Sequence, residues 1–370
     1  MSASSRMGVE GSASGGCADS GSTQVGRRWA VIATPYALFV AHLVASRMLV
    51  HGLRVDVMDG MPASHEHDWY LVLCPQMFSE LPPANRRVVF QMEQSISSRW
   101  FTASYLEILR ESKAVLDYAR VNVRFLEAHG MSSPQVSYVP VGPFADYAES
   151  VRASSSRWWE RWHGSRESAF SDRTESRKRS TESGPFSPKP RGSGWFASVL
   201  DWGQSRFPHR AHRKTCDVLF YGDFQGCPRR LAMLEALRSQ FDLRVVGGLF
   251  GLEMIAVIRS ARLVVNLHYY DNALLEMPRI AECLSLGVPV VSESAQDQDD
   301  YPELAGGVRF FEQGSIPSML AVVRSALHDP VSPDVFEECR ERSGARFAAE
   351  FDRFLNSAGL LPPTLRSGGE

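Results

Sequence analysis

The sequence predicts an α/β protein made of two doubly wound parallel sheets that face each other across a cleft. Three observations carry this prediction. The chain has 370 residues, which exceeds the roughly 250–300 residues at which a single hydrophobic core usually stops growing. Short apolar runs alternate with helical stretches on both sides of a long polar segment. Most of those runs are largely apolar without regular alternation, as expected of parallel strands that helices cover on both faces.

The N-terminal half opens with a strand–helix–strand pattern. The apolar run Trp29–Thr34 is followed by Pro35, a helical stretch to His51, Gly52 and a second apolar run, Leu53–Met58. A proline at the start of a helix and a glycine after its end are common boundary signals. The further predicted strands are Trp69–Cys74, Val88–Met92, Ala114–Tyr118 and Val136–Val141, and the predicted helices between them are Ser104–Glu111 and Val121–His129. We therefore expect an N-terminal domain over residues 27–149.

The first 26 residues are rich in Ser, Gly and Ala and lack the apolar run of a secretory signal. This composition predicts a disordered tail and a cytoplasmic protein. The most apolar helical stretch, Tyr36–Val50, is too short to cross a bilayer and carries His42 and Arg47. We expect it to be a core helix.

Regular apolar periodicity stops between residues 150 and 215. This segment holds fourteen Lys or Arg residues against six Asp or Glu, and five of the chain's eight tryptophans. It is also rich in Ser, Pro and Gly, which predicts a disordered insert between the domains. Its basic, tryptophan-bearing composition is compatible with contact with an anionic membrane surface. A solvated linker whose tryptophans dock on a domain is the alternative.

A second strand–helix series predicts a C-terminal domain over residues 216–331. Its predicted strands are Asp217–Tyr221, Leu243–Val246, Leu263–His268, Val288–Ser292 and Val308–Phe311. Its predicted helices are Leu231–Gln240, Leu252–Arg259, Met277–Leu286 and a stretch from Ile316 to about Leu327. A last helix, Asp334–Phe354, lies in the remaining segment, residues 332–370.

Composition argues against several classes of function. The formal net charge of −2 gives no reason to expect a nucleic-acid partner, since such domains usually carry a strongly basic face. The six cysteines form no CxxC pair, so neither a zinc site nor a disulfide framework is predicted. The acidic loop around Asp297, Asp299 and Asp300 is interpreted as a solvated turn, and we expect no bound metal.

The loop after the first C-terminal strand is a candidate anion site. It runs from Gly222 to Arg229 and Arg230, where a helix is predicted to begin. Backbone N–H groups at a helix start favour an anion, and paired guanidinium groups bind phosphate oxygens in a bidentate manner. A surface turn with two solvated arginines is the alternative.

A second candidate site follows the strand that ends at His268. Pro278 fits the first turn of the next helix, which places Glu276 just before that helix and Arg279 within its first turn. Glu282 lies three residues further on, in a helix that is otherwise apolar, so both glutamates need partners. A ribose hydroxyl is a natural partner for Glu282.

These motifs resemble a known family. The segment from Asp217 to Phe311 is similar to the nucleotide-sugar-binding half of GT-B glycosyltransferases of the group-1 type, which have two Rossmann-like domains, and in particular to the spore-maturation-type branch. The resemblance rests on Phe220-Tyr221-Gly222, Arg229-Arg230, Asn266-Leu267-His268, Arg279-Ile280-Ala281-Glu282 and Leu286-Gly287-Val288-Pro289-Val290-Val291. It implies that Glu282 contacts the donor ribose. The family has seven residues between its two glutamates, whereas this chain has five between Glu276 and Glu282.

The resemblance implies a nucleotide-sugar donor, a sugar-containing acceptor and no metal cofactor. The donor-binding set is Gly222, Arg229, Arg230, His268, Arg279, Glu282 and Glu293. The catalytic candidates are Glu276, near the transferred sugar, and Glu93, which follows the buried strand Val88–Met92. A carboxylate at such a strand end can accept the proton of an acceptor hydroxyl. Alternatively, the polar run Gln91, Glu93 and Gln94 bridges the two domains.

The predicted function is a glycosyltransferase that acts on a glycan, lipid-linked or other acceptor, as in cell-surface polysaccharide or glycoconjugate synthesis. Two alternatives stay open. The same scaffold can support a sugar-nucleotide epimerase or hydrolase, because fold does not determine chemistry. A non-catalytic protein that binds a nucleotide sugar is the third possibility.

Overall fold

The computed structural model describes residues 27–361, apart from 59, 63, 97–99, 155–213 and 225. The predicted insert therefore lies almost wholly outside the described residues, as does the predicted N-terminal tail. Within the described chain the N-terminal sheet has six parallel strands in the order β2-β1-β3-β4-β5-β6. They are β1 (Arg28–Ile32), β2 (Arg54–Met58), β3 (Trp69–Leu73), β4 (Arg87–Gln91), β5 (Ala114–Asp117) and β6 (Val136–Tyr138).

The C-terminal sheet has five parallel strands in the order β11-β10-β9-β7-β8. They are β7 (Cys216–Tyr221), β8 (Leu243–Val246), β9 (Ala261–Asn266), β10 (Val290–Glu293) and β11 (Val308–Phe311). In both sheets the first strand lies between the second and the third. The order in which strands are added to the sheet therefore reverses between β1 and β3, and again between β7 and β9. Such a reversal of strand order opens a crevice at the carboxyl ends of the two strands.

Nine helices cover the sheets in the described chain. In the N-terminal half they are α1 (Leu38–Val50), α2 (Ala103–Glu111), α3 (Arg120–Ala128) and α4 (Tyr147–Ala153). In the C-terminal half they are α5 (Pro228–Arg238), α6 (Gly251–Ser260), α7 (Met277–Ser285), α8 (Ile316–His328) and α9 (Pro333–Ser357). Three starts are capped by hydroxyls that accept a backbone N–H, those of Thr102, Ser315 and Ser332.

The central strands are buried on both faces, whereas the edge strands β2 and β8 are partly exposed. All five residues of β4 are buried, and Trp29 to Ile32 in β1 have no exposed surface. The predicted fold class, two doubly wound parallel sheets, is confirmed. One continuous hydrophobic cluster contains side chains of both halves, so the two lobes share part of their core.

The last helix ties the lobes together. In α9, Asp352 pairs with Arg47 and accepts from His51 (2.7 Å), both at the end of α1. Earlier in the same helix, Arg346 donates to the Tyr138 hydroxyl of β6 (2.9 Å). A Cβ on Gly142 would lie 2.5 Å from the Ser343 carbonyl oxygen, so glycine is required where the inter-lobe segment crosses α9. The C-terminal helix thus packs back across the N-terminal lobe.

Two of the differences from the predicted boundaries concern α5 and α4. Helix α5 begins at Pro228, three residues before the predicted start, so Arg229 and Arg230 belong to its first turn and not to the preceding loop. Helix α4 has no predicted counterpart and extends past residue 149, the expected end of the N-terminal domain. Its short apolar pattern lies beside a segment without periodicity, which hid it.

Candidate functional site

The candidate site lies at the carboxyl ends of β7 and β9, the two neighbouring strands between which the strand order of the C-terminal sheet reverses. Gly222 follows β7 with a φ of 132°, a backbone conformation that favours glycine. A Cβ on this residue would lie 3.0 Å from Nη2 of Arg279. The turn after β7 therefore approaches the first turn of α7, and the glycine leaves room for the Arg279 guanidinium between them.

Glu276, Arg279 and Arg230 form a buried charge cluster at the start of α7. Glu276 is the N-cap residue of this helix, as predicted. Its carboxylate pairs with Nη1 of Arg279 and with Nη2 of Arg230, the latter at 3.0 Å. Burial acts to raise the pKa of Glu276, but the charges of Arg279 and Arg230 outweigh it and hold that pKa below its usual range. Glu276 is therefore ionised at neutral pH.

Arg230 is buried and engaged with the backbone. Its Nε donates to the Leu267 carbonyl oxygen (3.0 Å), its Nη2 donates to the same oxygen, and its Nη1 donates to the Asp223 carbonyl oxygen. These bonds tie the turn after β7 to the end of β9. Arg230 thus holds the walls of the crevice together, which excludes the alternative of a solvated arginine at this position.

Arg229 and Glu293 form an ion pair next to the cluster of Glu276, Arg279 and Arg230. Glu293 ends β10 and is fully buried. It accepts the backbone N–H of His268 (3.0 Å) and of Gly314 (2.7 Å), and it pairs with the guanidinium of Arg229. Nη1 of Arg229 also donates to the His268 carbonyl oxygen (2.9 Å). Helix α5, β9 and β10 are thereby joined at one point.

His268 lies among these charges with no exposed surface. Neither ring nitrogen has a hydrogen-bond partner within the described part of the chain. Burial, together with the neighbouring arginines, lowers the pKa of His268 to about 4. The ring is therefore neutral at pH 7, with one nitrogen able to donate and the other able to accept.

Arg279 is the arginine with donors left for a ligand. Its Nη1 donates to Oδ1 of Asn266 (2.6 Å) and pairs with Glu276, whereas its buried Nε has no partner among the described residues. A guanidinium offers five N–H donors in a planar fork. The unpaired Nε and the Nη2 next to Gly222 lie on the side of the fork that faces the turn after β7.

Glu282 lies further along α7 and links the two halves of the chain. Its carboxylate accepts from the Tyr147 hydroxyl of α4 (2.9 Å) and from the Tyr221 hydroxyl of β7 (2.8 Å). Burial raises the pKa of Glu282, and the two hydroxyl donors oppose that shift. A carboxylate has about four acceptor positions, so these two bonds leave capacity for a ligand hydroxyl.

Glu93 lies in the other lobe, two residues after β4. Its Oε1 accepts from Nε2 of Gln76 (2.7 Å). Its backbone is held on both sides, because the N–H donates to the Gln91 side chain and the carbonyl oxygen accepts from Nδ2 of Asn122 (2.8 Å). The side chain is half-buried at the carboxyl edge of the sheet.

Carboxylates of both lobes converge on Tyr118. Burial raises the pKa of this tyrosine well above its usual value, and the charges of Asp117, Asp297, Glu276 and Glu93 raise it further. The two sequence-predicted catalytic candidates, Glu93 and Glu276, therefore belong to different lobes and both lie near Tyr118. The donor-set residues other than Glu282 surround the crevice between β7 and β9, while Glu282 faces α4.

Asp117 is a buried acid that sequence reasoning missed. It ends β5, has no exposed surface, and accepts from Nε2 of Gln91 (2.7 Å), Nδ2 of Asn122 (3.0 Å) and the Ala119 N–H (2.9 Å). Burial raises its pKa to about 8 against these donors. The available signal was its place at the end of an apolar run, where it was counted as part of the strand.

The raised pKa of Asp117 predicts that the free energy of unfolding falls by about 1 kcal/mol between pH 7 and pH 8. The folded protein keeps its proton up to about pH 8, whereas the unfolded chain loses it near pH 3.8. The folded state therefore binds more protons throughout this window, and a rise in pH favours unfolding. Urea unfolding in steps of half a pH unit measures the effect.

Other shifted groups act elsewhere on the pH scale. The pKa values of His42 and His268 are lowered to about 4, so they reduce stability only as the pH falls below the ordinary histidine value of about 6.5. The pKa of Asp297 is raised to about 6, so Asp297 is almost fully ionised by pH 7 and adds little to the pH dependence of the free energy of unfolding above that pH. Most of the slope between pH 7 and pH 8 should be lost in Asp117→Asn, and a slope of undiminished size there would contradict the assignment.

The acidic loop after β10 corrects one expectation. Asp297 was interpreted as part of a solvated turn, but it is only 4% exposed, and its Oδ1 accepts the Leu275 N–H at 2.9 Å. The chain folds this loop under the segment that leads to Glu276. Within the described ranges, no group of three or more His, Cys, Asp or Glu side chains could hold a metal ion.

No helix in the part of the chain described by the structure has the length and apolarity needed to cross a membrane. A scan against protein-family models finds no match, and a search of curated proteins finds none either.

Three solved structures are similar to this chain over most of its length. Sucrose-phosphate synthase from Thermosynechococcus elongatus has a TM-score of 0.48 and 12% identity, covering 93% of this chain and 100% of that one. Anabaena HepE in complex with UDP and glucose has a TM-score of 0.48 and 11% identity, covering 92% and 100%. WaaG, a glycosyltransferase involved in lipopolysaccharide biosynthesis, has a TM-score of 0.46 and 12% identity, covering 92% and 100%.

Proposed function

We propose that this protein is a glycosyltransferase of the GT-B type that uses a nucleotide-sugar donor. The observation that carries the proposal is the Arg279 guanidinium, which lies at the crevice between β7 and β9 with Nη2 next to Gly222 and with Nε unpaired among the described residues. Ligands of doubly wound sheets bind at such crevices. A diphosphate suits this place, because the guanidinium fork matches phosphate oxygens.

The donor ribose is assigned to Glu282. Its carboxylate is half-buried at the junction of β7, α4 and α7, and it accepts two tyrosine hydroxyls. A ribose diol supplies the same kind of hydroxyl donors. In this proposal the ribose shares or replaces the Tyr147 bond, so donor binding acts on α4 as well as on the C-terminal lobe.

The reaction then proceeds by displacement at the sugar's anomeric carbon. The acceptor hydroxyl oxygen forms the new bond, the bond to the diphosphate oxygen breaks with its electron pair, and the acceptor proton passes to the Glu93 carboxylate. Arg279 stabilises the charge that develops on the departing diphosphate. Neutral His268 and ionised Glu276 lie beside the same strand end and are assigned to the transferred sugar's hydroxyls.

The acceptor is proposed from the sequence resemblance, as a glycan or a lipid-linked sugar of the kind used in cell-surface polysaccharide synthesis. No metal is assigned to the reaction, because the Arg279 guanidinium is proposed to meet the charge of the diphosphate. The basic insert predicted over residues 150–215 is proposed as a contact with anionic membrane.

A thermal-shift screen with UDP-, GDP-, ADP- and TDP-sugars tests the donor assignment. One donor at about 100 times its dissociation constant should add about 2.7 kcal/mol of stability. In Glu282→Gln, whose side-chain oxygen still accepts a tyrosine hydroxyl, that donor should bind at least tenfold more weakly, because a charged hydrogen bond to the ribose is lost.

Product analysis with a labelled donor separates the proposed transfer from its rivals. A new glycoside that requires an added acceptor supports a transferase. Free sugar or an epimerised donor without any acceptor would instead indicate a hydrolase or an epimerase. Binding of a donor without any turnover would indicate a non-catalytic binding protein, and no stabilisation by any of the four donors would contradict the proposal.

A further inference from the structure

Gln94 makes a two-point contact between the lobes. It follows Glu93 in the segment after β4, and its side-chain amide meets the backbone of Leu274 in the loop between β9 and α7. Its Oε1 accepts the Leu274 N–H at 2.9 Å, and its Nε2 donates to the Leu274 carbonyl oxygen at 3.2 Å. Two bonds between one planar amide and one residue's backbone determine orientation as well as distance.

The loop on the C-terminal side is held from a second direction. Leu274 and Leu275 are fully buried, and the Leu275 N–H donates to Oδ1 of Asp297. Glu276 is the next residue and is paired with Arg279 and Arg230. Gln94 therefore contacts the backbone only two residues before the carboxylate assigned to the donor sugar.

The segment on the N-terminal side is equally constrained. Nδ2 of Asn122 donates to the Glu93 carbonyl oxygen (2.8 Å), and Oδ1 of Asn122 accepts the Ser95 N–H (2.9 Å). Asn122 is fully buried and also donates to Asp117. The backbone on both sides of Gln94 is thus fixed to α3 and β5, so a movement of this segment relative to Leu274 must break the amide contact.

We infer that Gln94 is a positioning residue that sets the separation between the Glu93 carboxylate and the donor loop. The inference rests on the proposed function. Group transfer requires reacting atoms about 3–3.5 Å apart, and a displacement of about 1 Å can lower the rate ~10²-fold. The Gln94–Leu274 contact couples the two loops that carry the acceptor base and the donor sugar, without touching either substrate.

Gln94→Met tests the inference, because methionine keeps the length of the side chain and removes both hydrogen bonds. Transfer to the acceptor should fall in kcat by ~10-fold or more, while the dissociation constant for the nucleoside diphosphate stays within about twofold. The fraction of the labelled donor that is hydrolysed should rise, since a water molecule can attack the donor without being positioned by the N-terminal lobe. Gln94→Glu should be no better, because one of its oxygens opposes the Leu274 carbonyl.

Gln135→Met is a matched control. Nε2 of Gln135 also donates to two backbone carbonyl oxygens, those of Arg110 (2.7 Å) and Ser112 (3.1 Å), but within one lobe. This variant loses bonds of the same kind and should keep the wild-type ratio of transfer to hydrolysis. If Gln94→Met lowers only the melting temperature, as the control does, and leaves kcat and that ratio unchanged, Gln94 is a structural tie and the inference is wrong.

Amide hydrogen exchange tests whether Gln94 couples the two loops, independently of any measurement of sugar transfer. In Gln94→Met the amides of Leu274 and Ser95 should both exchange faster than in the wild type, and in Gln135→Met neither should change. Unchanged exchange at Leu274 would overturn the coupling even in an active enzyme. A wild-type protein that binds none of the four nucleotide sugars would instead overturn the proposed function, which is a different result.

Discussion

Arg279→Ala is expected to lower kcat by ~10²-fold or more, with a smaller rise in the donor Michaelis constant. The departing nucleoside diphosphate gains negative charge as the sugar bond breaks, so a group that contacts its phosphates matters more in the transition state than in the ground state. Arg279 is the site arginine whose Nε is unpaired and whose Nη2 lies beside Gly222. Steady-state kinetics with a radiolabelled donor measures both constants.

Arg279→Lys should recover only part of this loss, because lysine keeps the charge but not the planar fork. Arg262→Ala is the matched control. Arg262 lies near the start of β9, at the opposite edge of the same sheet, where it pairs with Asp217 (2.9 Å). Its removal should leave both kinetic constants unchanged. Wild-type turnover in a folded Arg279→Ala protein would place the phosphate site elsewhere, with Arg229 as the next candidate.

Glu93→Gln should reduce transfer by ~10²–10⁴-fold, the usual range for loss of a general base, without weakening donor binding. Glutamine keeps the shape of the side chain, and its oxygen can still accept from Gln76. It cannot take a proton from the acceptor.

Glu80→Gln serves as the control for this charge change, since Glu80 is an exposed carboxylate of the same lobe. It should retain full activity and the wild-type pH profile. If Glu93→Gln transfers sugar at the wild-type rate, Glu93 is not the base. The polar segment after β4 would then serve only to join the lobes, as its neighbour Gln94 does.

Much of the fold follows from local pattern. The strands Leu243–Val246 and Val308–Phe311 have the predicted bounds, because short runs in which apolar residues predominate, bounded by polar loops, identify strands. Pro278 located the start of α7 and placed Glu276 at its N-cap. Helix starts depend on residues within one turn, so a sequence contains the information needed to find them.

The pairing of charges in the site does not follow from local pattern. The sequence placed Arg229 and Arg230 together as phosphate ligands, yet Arg230 donates to the carbonyl oxygens of Leu267 and Asp223. Asp297 was expected in solvent and is buried under Leu275. These partners lie far apart along the chain, and only the packing of β7 against β9 and β10 decides which of them meet. Their roles toward a ligand stay predictions.

The sequence by itself determined two parallel α/β sheets, the helix that starts after Glu276, and the strand ends at which a ligand can bind, because burial periodicity and boundary residues act over a few positions. Only the tertiary structure decided that Gln94 reaches Leu274, that Glu282 joins two tyrosines from different elements, and that Asp117 is a buried acid. Hydrogen bonds and pKa shifts depend on distances of a few ångströms between residues remote in the chain. Those distances are set when the two lobes pack.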